Sequence, residues 1–171
     1  MNLLVNLKEI KNYYLKKENI YYFVLIMIIF FFDRYSKFIV INNFSDRTYY
    51  INKYLNLDLI WNIGIGFGFL STESSIFYNF VTVTVGIVII FLLYVFAQSE
   101  RIDKFIYSII IGGALGNFFD RLAYKAVPDF IDLHFQSFHW FSFNIADIFI
   151  SLGIIFMLIN EIIFKNKKNE N

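Results

Sequence analysis

Long apolar runs broken by small clumps of charge set the pattern of this chain. Between Ile76 and Ala97 lie 22 residues without a charge, bounded by Glu73 and Glu100. A helix crossing a bilayer needs about 20 mostly apolar residues, so this run qualifies outright. Three further segments reach that length once a few polar residues are admitted. The stretch 20–41 opens with thirteen apolar residues and then meets Asp33, Arg34 and Lys37. The stretch 105–122 is apolar until Asn117, Asp120 and Arg121, and the stretch 141–160 holds Asn144 and Asp147 near its start. The pattern predicts four spans in a single membrane domain covering 1–171, joined outside by the segments 42–75 and 123–140. A cleavable signal peptide is not expected at the first span: no small-residue cleavage site follows it, and apolar sequence continues past its polar end.

Composition agrees with this picture. Of the 171 residues 58% are hydrophobic, 22% aromatic and 17% charged, against about a quarter charged in ordinary soluble domains. The absence of cysteine excludes a disulfide scaffold, a Cys-ligated metal site and a thiol nucleophile. A formal net charge of +1 gives no reason to expect a nucleic-acid partner. Lysine and arginine set the orientation, because they accumulate on the cytoplasmic side of membrane proteins. The N-terminal tail carries Lys8, Lys11, Lys16 and Lys17, the loop between the second and third spans Arg101 and Lys104, and the C-terminal tail Lys165, Lys167 and Lys168. Against these nine, the other two loops hold three: Arg47, Lys53 and Lys125. Both termini are therefore expected in the cytoplasm.

Charged residues inside spans are expensive and usually functional, so their depth matters. At a rise of about 1.5 Å per residue, Asp33 lies roughly 20 Å along an outward-running helix and Asp120 roughly 22 Å along a second one. Asp147 lies roughly 9 Å down an inward-running helix. In a core about 30 Å thick, all three fall roughly 8–10 Å below the outer surface. Helical spacing lets Asp33 pair with Lys37, and puts Asn117, Asp120 and Arg121 on one face and Asn144 with Asp147 on another. Asp33–Lys37 and Asp120–Arg121 read as structural pairs, and Asp46, Asp58 and Glu73 as solvated loop charges. His134 and His139, set among aromatics, read as interfacial residues rather than metal ligands. Asp129, which follows the chain's only proline, Pro128, and Asp147 have no adjacent cation in sequence.

Two aspartates meeting at a partly dehydrated site cannot both ionise easily, so one becomes an acid and the other a base. Such a pair hydrolyses peptide bonds without cofactor or metal. A proton relay or small transporter built on Asp33, Asp120 and Asp147 is the competing reading, and a purely structural membrane subunit a third. The relay reading expects carboxylates spread through the bilayer depth, whereas here they crowd towards one face.

The blocks Asp33…Lys37, Asn62-x-Gly64, Gly112-Gly113-Ala114-x-Gly116-Asn117-x-x-Asp120-Arg121, Val127-x-Asp129-Phe130 and Phe143-Asn144-x-Ala146-Asp147 resemble the signal peptidase II family of aspartic peptidases. The resemblance implies an all-α membrane protein of four transmembrane helices with a small extracytoplasmic β-cradle within 42–75, where Tyr50-Ile51 and Leu57–Ile60 are strand-like. It implies a bacterial inner-membrane endopeptidase, working near the outer face, that cuts lipid-modified prolipoproteins just before their diacylglyceryl cysteine. Carried over by motif, Asp129 and Asp147 are the catalytic dyad. Asn62, Gly64, Asn117, Arg121 and Asn144 line the substrate, Asp33 and Lys37 support the site, and Asp120 holds Arg121. No cofactor or metal is implied; phospholipid and the prolipoprotein signal peptide are the expected partners, and a monomer is expected. Two positions depart from the family pattern: Trp61 stands where arginine is common, and Gly66-Phe67 replaces Ala-Phe.

Overall fold

The computed structural model describes residues 17–44, 47–64 and 75–165. The tail lysines Lys8, Lys11, Lys16, Lys167 and Lys168, the loop acids Asp46 and Glu73, and the departure at Gly66-Phe67 lie outside the described residues. Four helices and four strands follow in the order α1 (Lys17–Asn43), β1 (Tyr49–Asn52), β2 (Leu55–Asn62), α2 (Ser75–Gln98), α3 (Arg101–Tyr124), β3 (Val127–Phe135), β4 (Phe138–Phe143) and α4 (Ile145–Asn160). A π-helical turn, Glu161–Lys165, prolongs α4. By length and composition, Ile76–Gln98, Arg101–Tyr124 and Ile145–Ile163 can each cross a membrane. Helix α1 is 27 residues long but carries Asp33, Arg34 and Lys37 in its second half.

Helix α3 is central and touches all three of the others. Close approach is possible because small residues face its neighbours, the usual device where no water drives helices together. A Cβ on Gly113 would stand 2.6 Å from the carbonyl oxygen of Ala146 in α4, and one on Gly116 would run into the Asp33 carboxylate of α1. The outer surface of the bundle is apolar: Ile76 is 80% exposed and Ile90 69%, as lipid-facing side chains should be. What the interior holds is unusual, since Asp33, Lys37 and Asp120 are all fully buried.

The strands form one antiparallel sheet in the order β1-β2-β3-β4. The cradle expected within 42–75 supplies β1 and β2. The segment 123–140, expected as a loop, instead turns out of α3 at Lys125, which is left-handed (φ 57°), and forms β3 and the start of β4. Phe141–Phe143, expected as the head of the last span, completes β4. Hydropathy alone hides this boundary, because the aromatic strand Phe138–Phe143 runs into the apolar helix without a break. Strand β3 pairs with β2 through Asp129 opposite Ile60 and Asn62 opposite Val127. This pairing puts Asn62 and Asp129 side by side, at the end of the bundle where α4 begins.

Candidate active site

Each end of this site is fixed by local chemistry. Helix α4 starts with a capping box: Asn144 accepts from the Asp147 backbone N–H (3.1 Å), and the Asp147 carboxylate accepts from the Asn144 backbone N–H (3.2 Å). The orphan donors of a first helical turn are satisfied by such reciprocal bonds. Asp147 is thereby held in the first turn of a helix, where the peptide dipoles favour negative charge. The Asn144 side chain also donates to Asp129 Oδ1 at 2.6 Å. One asparagine therefore touches both aspartates.

The remaining oxygens are equally accounted for. Asn62 donates to Asp129 Oδ2 at 2.8 Å, and Asn117 donates to Asp147 Oδ1 at 2.7 Å. Asn62 in turn accepts from the Gly64 backbone N–H (2.8 Å), so its amide is turned towards Asp129. All four carboxylate oxygens of the pair accept one N–H each. Asp129 is 2% exposed, and burial together with the nearby Asp147 charge pushes its pKa up to about 7. Asn62 and Asn144 donate to its ionised form and partly offset this rise.

Beneath the aspartates lies a charge network. Lys37 donates to Asp33 (2.8 Å), to Asp120 (2.6 Å) and to the Asn117 carbonyl (2.8 Å). Arg34 makes the second ion pair with Asp120 and stacks on the Phe119 ring at 4.8 Å. The other Asp33 oxygen accepts from the Ala146 backbone N–H at 2.9 Å, so α1 also satisfies an orphan donor of α4. The expected Asp33–Lys37 pair is present. Asp120, by contrast, does not hold Arg121: consecutive residues of a helix point about 100° apart, and Asp120 turns to α1. Arg121 instead donates to the Gly64 carbonyl and faces the Tyr78 ring at 5.6 Å, while its buried Nη1 has no partner among the described residues.

Thus the structure gathers Asn62, Gly64, Asn117, Arg121, Asp129, Asn144 and Asp147 at one place, with Asp33, Lys37 and Asp120 directly behind. Sequence reasoning missed Arg34, which spacing gave no reason to pair with Asp120 on another helix. It also missed Tyr78, whose hydroxyl donates to the Arg121 carbonyl at 3.0 Å. Trp61, the departure from pattern, is half-exposed and meets Tyr124 edge-on at 5.6 Å between ring centres.

Comparison with known proteins points one way. The family model described as "Signal peptidase (SPase) II" matches residues 25–163. A "Lipoprotein signal peptidase" of Pelagibacter ubique (strain HTCC1062) is 43% identical over 96% of this chain and 97% of its own length. One from Francisella tularensis subsp. novicida (strain U112) is 36% identical over 68% of this chain and 75% of its own. Among solved structures, a bacterial membrane enzyme determined by the in meso method at 2.3 Å resolution aligns with a TM-score of 0.74 and 27% identity, covering 88% of this chain and 91% of that one.

Two outcomes test this geometry. Lys37→Met leaves Asp33 facing no buried cation and weakens the charge balance at Asp120; removing one partner of a buried ion pair costs about 3–5 kcal/mol. Thermal unfolding in detergent should show that loss. Asp129 gives a pH signature. Its pKa of about 7 in the fold lies above the ordinary 3.8, so the fold binds this proton more tightly than the unfolded chain does. Stability contributed at this site should therefore decline as pH rises from about 4 to about 7. The decline, together with the infrared carbonyl band of a neutral carboxyl lost near neutrality, should be absent in Asp129→Asn.

Proposed function

The chain belongs to the signal peptidase II family, and from that premise we propose that Asp129 and Asp147 are the catalytic dyad with which it removes signal peptides from prolipoproteins. The observation that carries this reading is the Asn144 bridge, which ties both carboxylates to one residue while amides cap their other oxygens. A relay for protons gains nothing from two carboxylates fastened side by side. An aspartic peptidase requires it.

The reaction follows from sharing one proton. The ionised aspartate takes a proton from water as the water oxygen adds to the scissile carbonyl carbon, and the neutral aspartate protonates the carbonyl oxygen. Collapse of the tetrahedral intermediate breaks the C–N bond, and the departing nitrogen takes up a proton from the dyad. The raised pKa of Asp129 fits it to be the proton-holding member, although the pair titrates as a unit. Arg121, whose buried Nη1 has no partner among the described residues, offers a donor to the substrate backbone beside Gly64. The cut falls just before the diacylglyceryl cysteine, whose acyl chains stay in the bilayer while the signal helix lies among the spans.

The topology completes the reading. Helix α1 is a fourth span, long enough at about 1.5 Å per residue to cross the core and able to carry three charges because Arg34 and Lys37 are paired across to α3. Both termini lie in the cytoplasm, the sheet and dyad lie at the outer face, and the chain works as a monomer.

Asp129→Asn and Asp147→Asn should each lower cleavage of a lipid-modified prolipoprotein at least about a thousandfold, the scale of losing an acid–base partner, with normal insertion and yield. Cleavage by Asp147→Asn at a near wild-type rate would remove the dyad. For topology, the absence of native cysteine makes single substitutions clean reporters. In intact spheroplasts a membrane-impermeant maleimide should label Ser137→Cys, at the β3–β4 turn, and spare Glu100→Cys, between α2 and α3.

A further inference from the structure

The chain contains two histidines, His134 and His139, and the fold sets them against one buried carboxylate. Strand β3 carries Asp132 and His134 two residues apart, hence on one face of the sheet. After a two-residue turn, β4 returns with His139 opposite His134. That pairing depends on a bulge. Leu133 pairs with Phe141 and His134 with His139, so Trp140 is passed over and the imidazole, not the indole, is brought to this face.

The donor atoms converge. His139 Nδ1 lies 2.8 Å from Asp132 Oδ2, and His134 Nδ1 lies 3.5 Å from the same oxygen. One ligand atom from each residue falls within 4.8 Å of those of the other two. Ligand atoms about 2.0–2.1 Å from a tetrahedral zinc ion stand about 3.4 Å apart, close to the His134 separation. The His139 contact needs to open by about half an ångström to reach that spacing.

The group is also chemically incomplete. Asp132 is 2% exposed, and among the described residues its ion-pair partners are these two histidines. Among the described residues neither the buried His134 Nδ1 nor the buried carbonyl oxygen of Asn56 has a hydrogen-bond partner, and Asn56 is the direct cross-strand neighbour of Asp132 on β2. Among the described residues three buried side-chain polar atoms are orphaned; one faces this carboxylate and a second belongs to its cross-strand neighbour. Buried polar groups normally find partners, and a cation at the carboxylate satisfies the imidazole nitrogen together with the carboxylate charge. Tyr54, Leu133, Phe135 and Trp140 line an apolar recess beside His134.

We propose that Asp132, His134 and His139 form a zinc site at the tip of the β3–β4 hairpin. Two imidazoles and one carboxylate are nitrogen and oxygen donors suited to Zn²⁺, and three protein ligands leave a fourth position for water or for Asn56. Zinc binds His139 through Nδ1, and the neutral imidazole carries its single proton on Nε2. Zinc there cross-links β3 to β4 only three residues beyond Asp129. It stiffens the strand that carries that residue and takes no part in hydrolysis.

The test uses the full chain in detergent, without a polyhistidine tag, stripped with a chelator and dialysed against buffered micromolar ZnCl₂. One zinc per chain is expected by elemental analysis, with two imidazoles in its coordination shell by X-ray absorption. His139→Ala removes a largely exposed side chain and should fold normally, as its prolipoprotein cleavage reports; it and His134→Ala should bind zinc at least tenfold more weakly. No zinc retained by the wild type, or equal retention by both variants, overturns the site. Either result leaves the dyad reading untouched.

Discussion

Lys37 holds this structure together at its polar end. Its ammonium group is fully buried and bonds to Asp33 on its own helix and to Asp120 and Asn117 on α3. In a medium with little water an isolated ammonium is prohibitively costly. Three acceptors at hydrogen-bond distance, two of them anionic, make it tolerable. Arg34 supplies the second positive charge, so the two buried carboxylates face two cations. Asp33 then passes the linkage to the Ala146 backbone of α4. Three helices are locked in register by one small set of charges, and the register decides where Asn117 and Asn144 point.

The Asp129–Asp147 pair inherits its geometry from that lock. Asn117 is held at its carbonyl by Lys37, which leaves its amide free to donate to Asp147. Asp147 is fixed a second time by the capping box. Asp129 arrives from a different direction, on a strand whose position is set by pairing with β2 and by the amide of Asn62. Two carboxylates on separately anchored elements are kept together although their charges repel. Burial, with that repulsion, raises the Asp129 pKa towards neutrality. A carboxyl that holds its proton towards neutral pH, fixed beside a second carboxyl, is the arrangement acid–base hydrolysis at a peptide bond draws on.

The parts legible in the sequence were those where polarity is conspicuous. Asp33, Lys37, Asn117, Asp120, Asn144 and Asp147 stand out because apolar sequence surrounds them, and helical spacing correctly grouped Asp33 with Lys37 and Asn144 with Asp147. Partner choice between helices was not legible. Asp120 and Arg121 are adjacent in sequence and opposite in charge, yet a helix turns them apart, and the partners of Asp120 lie on another helix at Arg34 and Lys37. The second half of the sheet was hidden for another reason. A strand such as Phe138–Phe143, aromatic throughout and followed at once by an apolar helix, has the hydropathy of a longer span. Only its pairing with β3 separates the two.

The uninterrupted run that first marked this chain as a membrane protein has the same origin. Helices α1, α3 and α4 each contribute charged or amide side chains to the buried network, so each shows breaks in its apolar sequence at the depth of the site. Helix α2 contributes none of these. Among the described residues its polar link to the site is the Tyr78 hydroxyl on the Arg121 carbonyl, near its first turn, and it rests chiefly on α3. The 22 charge-free residues of Ile76–Ala97 are therefore what remains when a helix takes no part in the clamp. The interrupted spans, not the clean one, mark where the candidate site is built.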